Sequence, residues 1–326
     1  MSLSVVIPVY GCGDCLVVLH QRLVAALNQI TPDFEILLID DRSPDRSWEV
    51  IRDLASADPR VRAIRLSRNF GQHATLSAGL ALAKGEWTAV MDCDLQDRPE
   101  DIPRLYARAM EGYDLVLARR KRRGHSGLRA ALAWGYFKSM NIFMGTELEG
   151  EFGTFSLISS QVRDAFLAFR ETDRHYLFIL HWLGFNRGTI EIEHDPRFSG
   201  RSSYSLGALL NHAVAGMFFQ TTKLLLYIVY FGFVLAAIGL VSAACFVYLY
   251  AVAHPPPGWT SVIVMLLVVG GFIITSTGVT GLYIGRIFQQ VKERPLYVID
   301  SGAITSPDSA PRAEARTTSM DRPHRE

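Results

Sequence analysis

The sequence predicts an α/β domain with a mainly parallel sheet, followed by a helix lying on a membrane surface and two helices that cross the membrane. Three observations carry this expectation. Until about residue 200, short apolar strands alternate with amphipathic helices, the pattern of a parallel sheet covered by helices. From Leu224 to Gly285 the one side chain able to carry charge near neutrality is His254, and Pro255-Pro256-Pro257-Gly258 divides this stretch into two apolar runs. Each run exceeds the roughly 20 residues that a bilayer-spanning helix needs. Between the two regions, Leu206, Leu209, Leu210, Val214, Met217 and Phe218 recur at helical spacing within Ser205 to Thr222, as in a helix buried on one face in lipid.

Taken in order, Ser4-Val5-Val6-Ile7-Pro8-Val9 reads as a buried strand. It is short, lacks a basic leader and runs into polar turn residues, which excludes a signal peptide. Helix candidates span Cys15 to Gln29 and Ser47 to Ser56, the second entered through the turn Asp41-Arg42-Ser43-Pro44-Asp45. Further strands are expected at Glu35 to Asp40, Val61 to Leu66 and Trp87 to Asp92. Three of these strand ends carry acidic or turn-forming residues, and open α/β sheets bind ligands at the carboxyl ends of their strands. The expected divisions are 1–204 for the sheet domain, 205–222 for the surface helix, 223–286 for the two spans and 287–326 for a C-terminal segment. That segment is rich in Ser, Pro, Arg and Glu and reads as disordered from about 301.

With 33 basic and 32 acidic side chains the formal charge is +1, so nothing points to nucleic acid as a partner. An apolar share of 49% excludes a disordered chain. Lys223 precedes the first span, Arg286, Lys292 and Arg294 follow the second, and the loop between them has no Lys or Arg. Both ends are therefore expected on the cytoplasmic side of an inner membrane. Cys12, Cys15, Cys93 and Cys245 are too few and too scattered for a disulfide framework, which makes a reducing compartment the default; Cys12 and Cys15 are assigned to packing. Gly11-Cys12-Gly13 begins like a dinucleotide fingerprint, but Leu16 stands where the third glycine belongs. His73 and His175 read as structural, and His181 and Trp182 as packing residues. Gly270-Gly271 and Gly278-x-x-Gly281 are compatible with a homo-oligomer formed through the spans.

The strongest chemical signal is Met91-Asp92-Cys93-Asp94-Leu95-Gln96-Asp97, three carboxylates and an amide directly after an apolar strand. Hard oxygen donors favour Mg²⁺ or Mn²⁺, and Asp92 and Asp94, with Gln96 as a weaker candidate, are the expected ligands. A cation there would neutralise a diphosphate leaving group. The competing reading makes Asp97 or Asp101 a helix cap. A second pair, Asp40-Asp41, suits hydrogen bonds from a nucleobase or ribose. Two basic runs suit phosphate: Arg119 to Arg123, and Arg197-Phe198-Ser199-Gly200-Arg201-Ser202-Ser203-Tyr204 just before the surface helix.

With these residues assembled, the chain resembles the family 2 glycosyltransferases, in the dolichyl-phosphate mannose synthase-like branch that makes polyprenyl-phosphate sugars. The resemblance covers about residues 3–300. It is carried by Ser4 through Tyr10, Ile39-Asp40-Asp41-Arg42-Ser43, Leu66-Ser67-Arg68-Asn69-Phe70-Gly71, Met91 through Asp97 with Pro99-Glu100, and Arg197 through Tyr204. It implies a GT-A fold, a UDP-, GDP- or dTDP-linked sugar donor held with a divalent cation, and inverting transfer to an undecaprenyl-type phosphate at the membrane. By the same resemblance, Pro8, Tyr10 and Asp40 or Asp41 contact the nucleoside, Asp92, Asp94 and Gln96 the metal and diphosphate, and Arg120 and Arg197 phosphates. Arg201 and Ser202 adjoin the acceptor phosphate.

Three departures from the family pattern bear on chemistry. Gly11-Cys12 replaces the usual Asn-Glu, Gly153-Thr154-Phe155-Ser156-Leu157 lacks the aspartate of Gly-Asp-Phe-Arg-Leu, and Ser203 replaces a lysine. The nearest substitute for the missing aspartate is Glu151. A lipid phosphate is already ionised at neutral pH and needs no strong base, whereas a sugar hydroxyl acceptor needs a carboxylate such as Glu151 or Glu147. The rival readings are accordingly a transferase extending a lipid-linked oligosaccharide, and a membrane adaptor without activity. No Gln-x-x-Arg-Trp stretch supports a processive synthase.

Overall fold

The computed structural model describes residues 2–120, 152–171, 174–193, 223–253 and 258–300. Runs of β-branched and other apolar residues form β1 (Leu3–Val9), β2 (Phe34–Asp40), β3 (Val61–Arg65) and β4 (Trp87–Val90). Apolar residues bury β1 on both faces, as a central parallel strand requires. Three more strands, which the sequence reading did not assign, are β5 (Leu115–Arg120), β6 (Phe152–Ser159) and β7 (Arg187–Ile192). The sheet order is β3-β2-β1-β4-β6-β5-β7, with β6 antiparallel to both neighbours and every other pairing parallel.

Helices α1 (Leu16–Leu27), α2 (Ser47–Ala57) and α4 (Ile102–Ala109) supply one core layer, with Leu19, Leu23, Trp48, Ile51 and Leu105 packed on β1 and β2 residues. Helix α3 (Gln72–Leu82), with α5 (Ser160–Leu167) and α6 (Tyr176–Trp182), forms the layer on the other face. This division follows from chain direction. Strands β1, β2 and β3 step outward, and α3 then carries the chain back across the sheet so that β4 pairs with the free side of β1. Right-handed crossovers place helices on opposite faces once the direction of stepping reverses. Gly79 permits the return: a Cβ there would meet Ile39 Cδ1 at 2.8 Å, so only glycine lets α3 lie this close to the sheet.

The helix beginning near Pro99 is entered through a 3₁₀ turn at Pro99–Asp101. Neither Asp97 nor Asp101 makes a capping hydrogen bond; the Asp101 carboxylate instead pairs with Arg104. Packing is also corrected at Trp182, which is 76% exposed and touches Phe169 edge to face at 5.2 Å. The His73 and His175 rings lie 4.3 Å apart at a tilt of 43°, and burial, with His73 opposite, pushes His175 down to about 3.

Two long helices follow, α7 (Lys223–Ala253) and α8 (Trp259–Val291), touching where Phe231 meets Phe272 at 5.0 Å. Among the described residues, many of their apolar side chains are exposed, including Phe233, Val241, Ile274 and Ile287. Among the described residues one stretch, Val268–Val291, is long and apolar enough to cross a membrane. Beyond α8 the chain returns to the sheet. Gln290 donates to the Arg170 carbonyl at 2.7 Å, Leu66 and Ile299 form an antiparallel bridge, and the Asp300 amide donates to the Arg65 carbonyl at 2.9 Å. Residues up to Asp300 thus cover the outer edge of β3, which shields its unpaired backbone groups. The expected surface helix at 205–222 and the tail from 301 lie outside the described residues.

Candidate active site

Strand order reverses between β1 and β4, so their carboxyl ends diverge into a crevice. The β1 end supplies Pro8, which is buried, and Tyr10, which is 54% exposed. Three successive backbone amides beyond it are held by the loop after β2: Gly11 donates to Ser43 Oγ at 3.2 Å, Cys12 to Ser47 Oγ at 3.1 Å and Gly13 to Asp45 Oδ2 at 3.1 Å. These bonds replace a ladder that ended with β1, and they fix the loop bearing Tyr10.

After β4 the side chains alternate. Asp92, Asp94 and Gln96 are half-buried and share the more accessible side, whereas Cys93, Leu95 and Asp97 are buried. All three expected metal ligands are thus half-buried and partly accessible. Leu95 adopts φ 60° in the left-handed region, a strained conformation for a leucine that turns the chain after Asp94, and the Gln96 amide donates to Asp94 Oδ1 at 3.1 Å.

Asp92 is the most perturbed carboxyl here. Burial, then the charges of Asp97 and Asp94, push it up to about 6, against the opposing effects of a Thr154 hydrogen bond and the nearby Arg120. Its Oδ1 accepts from Gln72 Nε2 at 2.7 Å and from Thr154 Oγ1 at 3.1 Å. Arg120, at the end of β5, stands 3.6 Å from Asp97 and passes over Gly153, where a Cβ would meet its Nη2 at 2.8 Å. Arg120 thus stands on the carboxylate side of the crevice.

Asp40 and Asp41 turn inward. Asp40, fully buried, pairs with Arg65 Nε at 3.0 Å and accepts from the Ser43 amide at 3.0 Å. Asp41 accepts from the amides of Phe70 at 2.7 Å and Gly71 at 2.9 Å, and burial raises its pKa despite those bonds. The pair builds the wall of the crevice: Asp40 fixes the loop that holds Gly11, and Asp41 fixes the start of α3.

Gln72, Gly153 and Thr154 were missed by sequence reasoning. Gln72 had one usable signal, its place directly after Gly71 at the end of a recognised stretch. Thr154 had been read only as a lost aspartate. Cys12 and Cys15 both pack in the core, as expected, but Cys12 is also disulfide-bonded to Cys93, which the sequence reading did not anticipate; Cys15 lies outside the bridge. Arg197, Arg201, Ser202 and Glu151 lie outside the described residues.

The donor set fits a hard divalent cation. Among the described residues no three His, Cys, Asp or Glu side chains converge on one point, so Asp92 and Asp94 would leave most of the coordination shell to other oxygens. Mg²⁺ is commonly held this way, by one or two carboxylates with substrate phosphates and water.

Comparison with known proteins agrees with this arrangement. Residues 4–176 match the model of glycosyl transferase family 2. An undecaprenyl-phosphate 4-deoxy-4-formamido-L-arabinose transferase from Aeromonas hydrophila is 33% identical over 302 residues, covering 91% of this chain and 92% of the relative. A prophage-derived bactoprenol glucosyl transferase of Shigella flexneri is 33% identical, covering 92% and 97%. An uncharacterised glycosyltransferase of Bacillus subtilis is 32% identical, covering 91% and 92%. With the family model matched over residues 4–176 and similarity running nearly end to end, the chain belongs to glycosyl transferase family 2.

Proposed function

We propose that this protein transfers a sugar, with inversion, from a nucleotide-sugar donor to an undecaprenyl-type polyprenyl phosphate at the cytoplasmic face of an inner membrane. The observation that supports the reading is that Asp92 and Asp94, half-buried, follow β4 at the switch point, with the Arg120 charge acting on Asp92. The relatives named for undecaprenyl phosphate and bactoprenol match over more than nine-tenths of the chain, long apolar helices included.

In this reading Tyr10 stacks against the nucleoside at the exposed end of β1, above Pro8, while Asp40 and Asp41 maintain the loops around it. Asp92 and Asp94, with Gln96, hold Mg²⁺ or Mn²⁺, which when bound draws charge from the departing diphosphate. Gln72 and Thr154 keep the Asp92 carboxylate turned toward that group, and the Arg120 guanidinium approaches the same phosphates. The acceptor phosphate oxygen attacks the anomeric carbon as the bond to the diphosphate breaks. Being already ionised, it requires no dedicated base, which fits Thr154 standing where the family pattern has aspartate. Arg197, Arg201 and Ser202 are assigned to the acceptor phosphate.

Helices α7 and α8, at 31 and 33 residues, are each about 45–50 Å long and exceed the roughly 30 Å hydrocarbon core, so we assign both as spans. The contacts of Gln290 and Ile299 with the sheet domain keep the crevice near the membrane face where α8 ends. The test is to incubate membranes containing the full chain with radiolabelled UDP-, GDP- and dTDP-sugars and follow label into organic extract. Label that mild acid releases supports a sugar phosphodiester; label that resists acid, or none in the extract, overturns the reading.

A further inference from the structure

The bridge between Cys12 and Cys93 joins the two walls of the crevice. Cys12 lies in the loop after β1, three residues beyond the strand, and Cys93 stands between Asp92 and Asp94. The pair is 81 residues apart in sequence, with Cα atoms 6.4 Å apart, a separation that suits a disulfide. Cys93 is 6% exposed and belongs to the core beneath α1, and Cys12 packs against the same cluster, whereas Asp92 and Asp94 take the alternate, open positions. The bridge therefore ties the Gly11–Gly13 loop to the carboxylate turn.

We propose that Cys12 and Cys93 form a thiol–disulfide exchange site whose oxidised state preorganises the crevice and whose reduction loosens it. This regulatory role rests on the reading of the crevice as the donor site. Cys12 is the half-buried partner and Cys93 the buried one, so the exchange begins at Cys12. Its thiolate attacks a low-molecular-weight disulfide of the glutathione class, forming a mixed disulfide and releasing one thiolate. The Cys93 thiolate then attacks Cys12 Sγ, closing the bridge and releasing the second thiolate. Two electrons pass from the cysteine pair to the reagent, and the two cysteine protons pass to solvent or to the released thiolates; a dithiol reverses the sequence. Closing the bridge removes independent motion of the two walls, so the carboxylates need less ordering when a cation and diphosphate bind.

The experiment uses the full chain in detergent, equilibrated with oxidised glutathione or with dithiothreitol. Peptide mapping after alkylation should find Cys12 linked to Cys93 in the first state and both alkylated in the second. Reduction should speed amide hydrogen exchange at Gly11–Gly13 and Asp92–Gln96, and should weaken binding of the tightest of UDP, GDP and dTDP with Mn²⁺ by about fivefold or more. Cys12→Ser should hold the weaker value in both states, with Cys93→Ala as a second variant. Failure to form the linked peptide overturns the proposal, as does a linked peptide with unchanged exchange and affinity, or a redox response that persists in both variants. If no nucleotide binds in either state, the donor-site reading falls with its regulatory role, while the exchange measurement still decides whether the bridge joins the two walls.

Discussion

Gln72 Nε2 donates a 2.7 Å hydrogen bond to Asp92 Oδ1, joining the first residue of α3 to the turn that follows β4. The preceding residue, Gly71, has its amide held by Asp41 at 2.9 Å. A line of contacts thus runs from the end of β2 through the start of α3 to the carboxylate most exposed to its neighbours' charge. It explains how Asp41 serves the site without facing it.

The Gln72 bond stabilises the charged form of Asp92, whose pKa is already pushed up to about 6. Removing the donor in Gln72→Ala raises it further. Only the ionised carboxylate binds a cation well, so the acid limb of the rate profile should move to higher pH and kcat/KM at pH 7 should fall about tenfold. The sign for stability is opposite. A carboxyl whose folded pKa is raised favours folding fully below the unfolded value near 3.8, and that contribution is lost as pH rises through about 6. Asp92→Asn should therefore be as stable as the parent at pH 4 and more stable at pH 8, measured by thermal melting without added metal.

Asp40→Asn should act on folding rather than on donor choice. Its carboxylate is fully buried against Arg65, and that guanidinium also lies over Trp48 at 5.3 Å. Breaking such a pair costs about 3 kcal/mol, a drop of about 6–12 °C in melting temperature. A variant that melts normally but loses nucleotide affinity would return Asp40 to direct donor contact.

Gly153→Ala probes Arg120. The new methyl would meet the guanidinium at 2.8–3.2 Å and displace it from Asp97. The donor KM should rise about tenfold while the melting temperature moves little, because the displaced group is the far end of a flexible side chain. An unchanged KM would remove Arg120 from the diphosphate.

Glu151→Gln separates the two acceptor chemistries. Attack by a lipid phosphate predicts near-normal turnover; a fall of about two to four orders of magnitude would indicate a hydroxyl acceptor that needs a base.

The carboxyl ends of β1, β2 and β4 were legible because apolar runs of strand length stop abruptly at polar residues, and period and punctuation are local properties. Side-chain direction at those ends was not. Asp40 and Asp41 looked like ligands facing a crevice, and their inward turn depends on Arg65 and the Phe70–Gly71 amides, which only the β2–β3 pairing and the start of α3 bring near. The Cys12–Cys93 bridge was hidden for a similar reason, since it exists only once β4 returns to lie beside β1. Strand β6 carried no clear alternation in Phe152–Ser159, and its antiparallel entry is a property of the sheet. Trp182 read as a packing residue; it touches Phe169 but stays largely exposed at the end of α6.

The central claim is that Asp92 and Asp94 hold a divalent cation against a donor diphosphate. Electron paramagnetic resonance of Mn²⁺ titrated into the full chain, with and without UDP, GDP and dTDP, tests it most directly. The account predicts tight Mn²⁺ binding only when a matching nucleoside diphosphate is present, with phosphorus coupling in the bound signal, and loss of both in Asp94→Asn. Mn²⁺ bound equally well without nucleotide, or unaffected by Asp94→Asn, would contradict it.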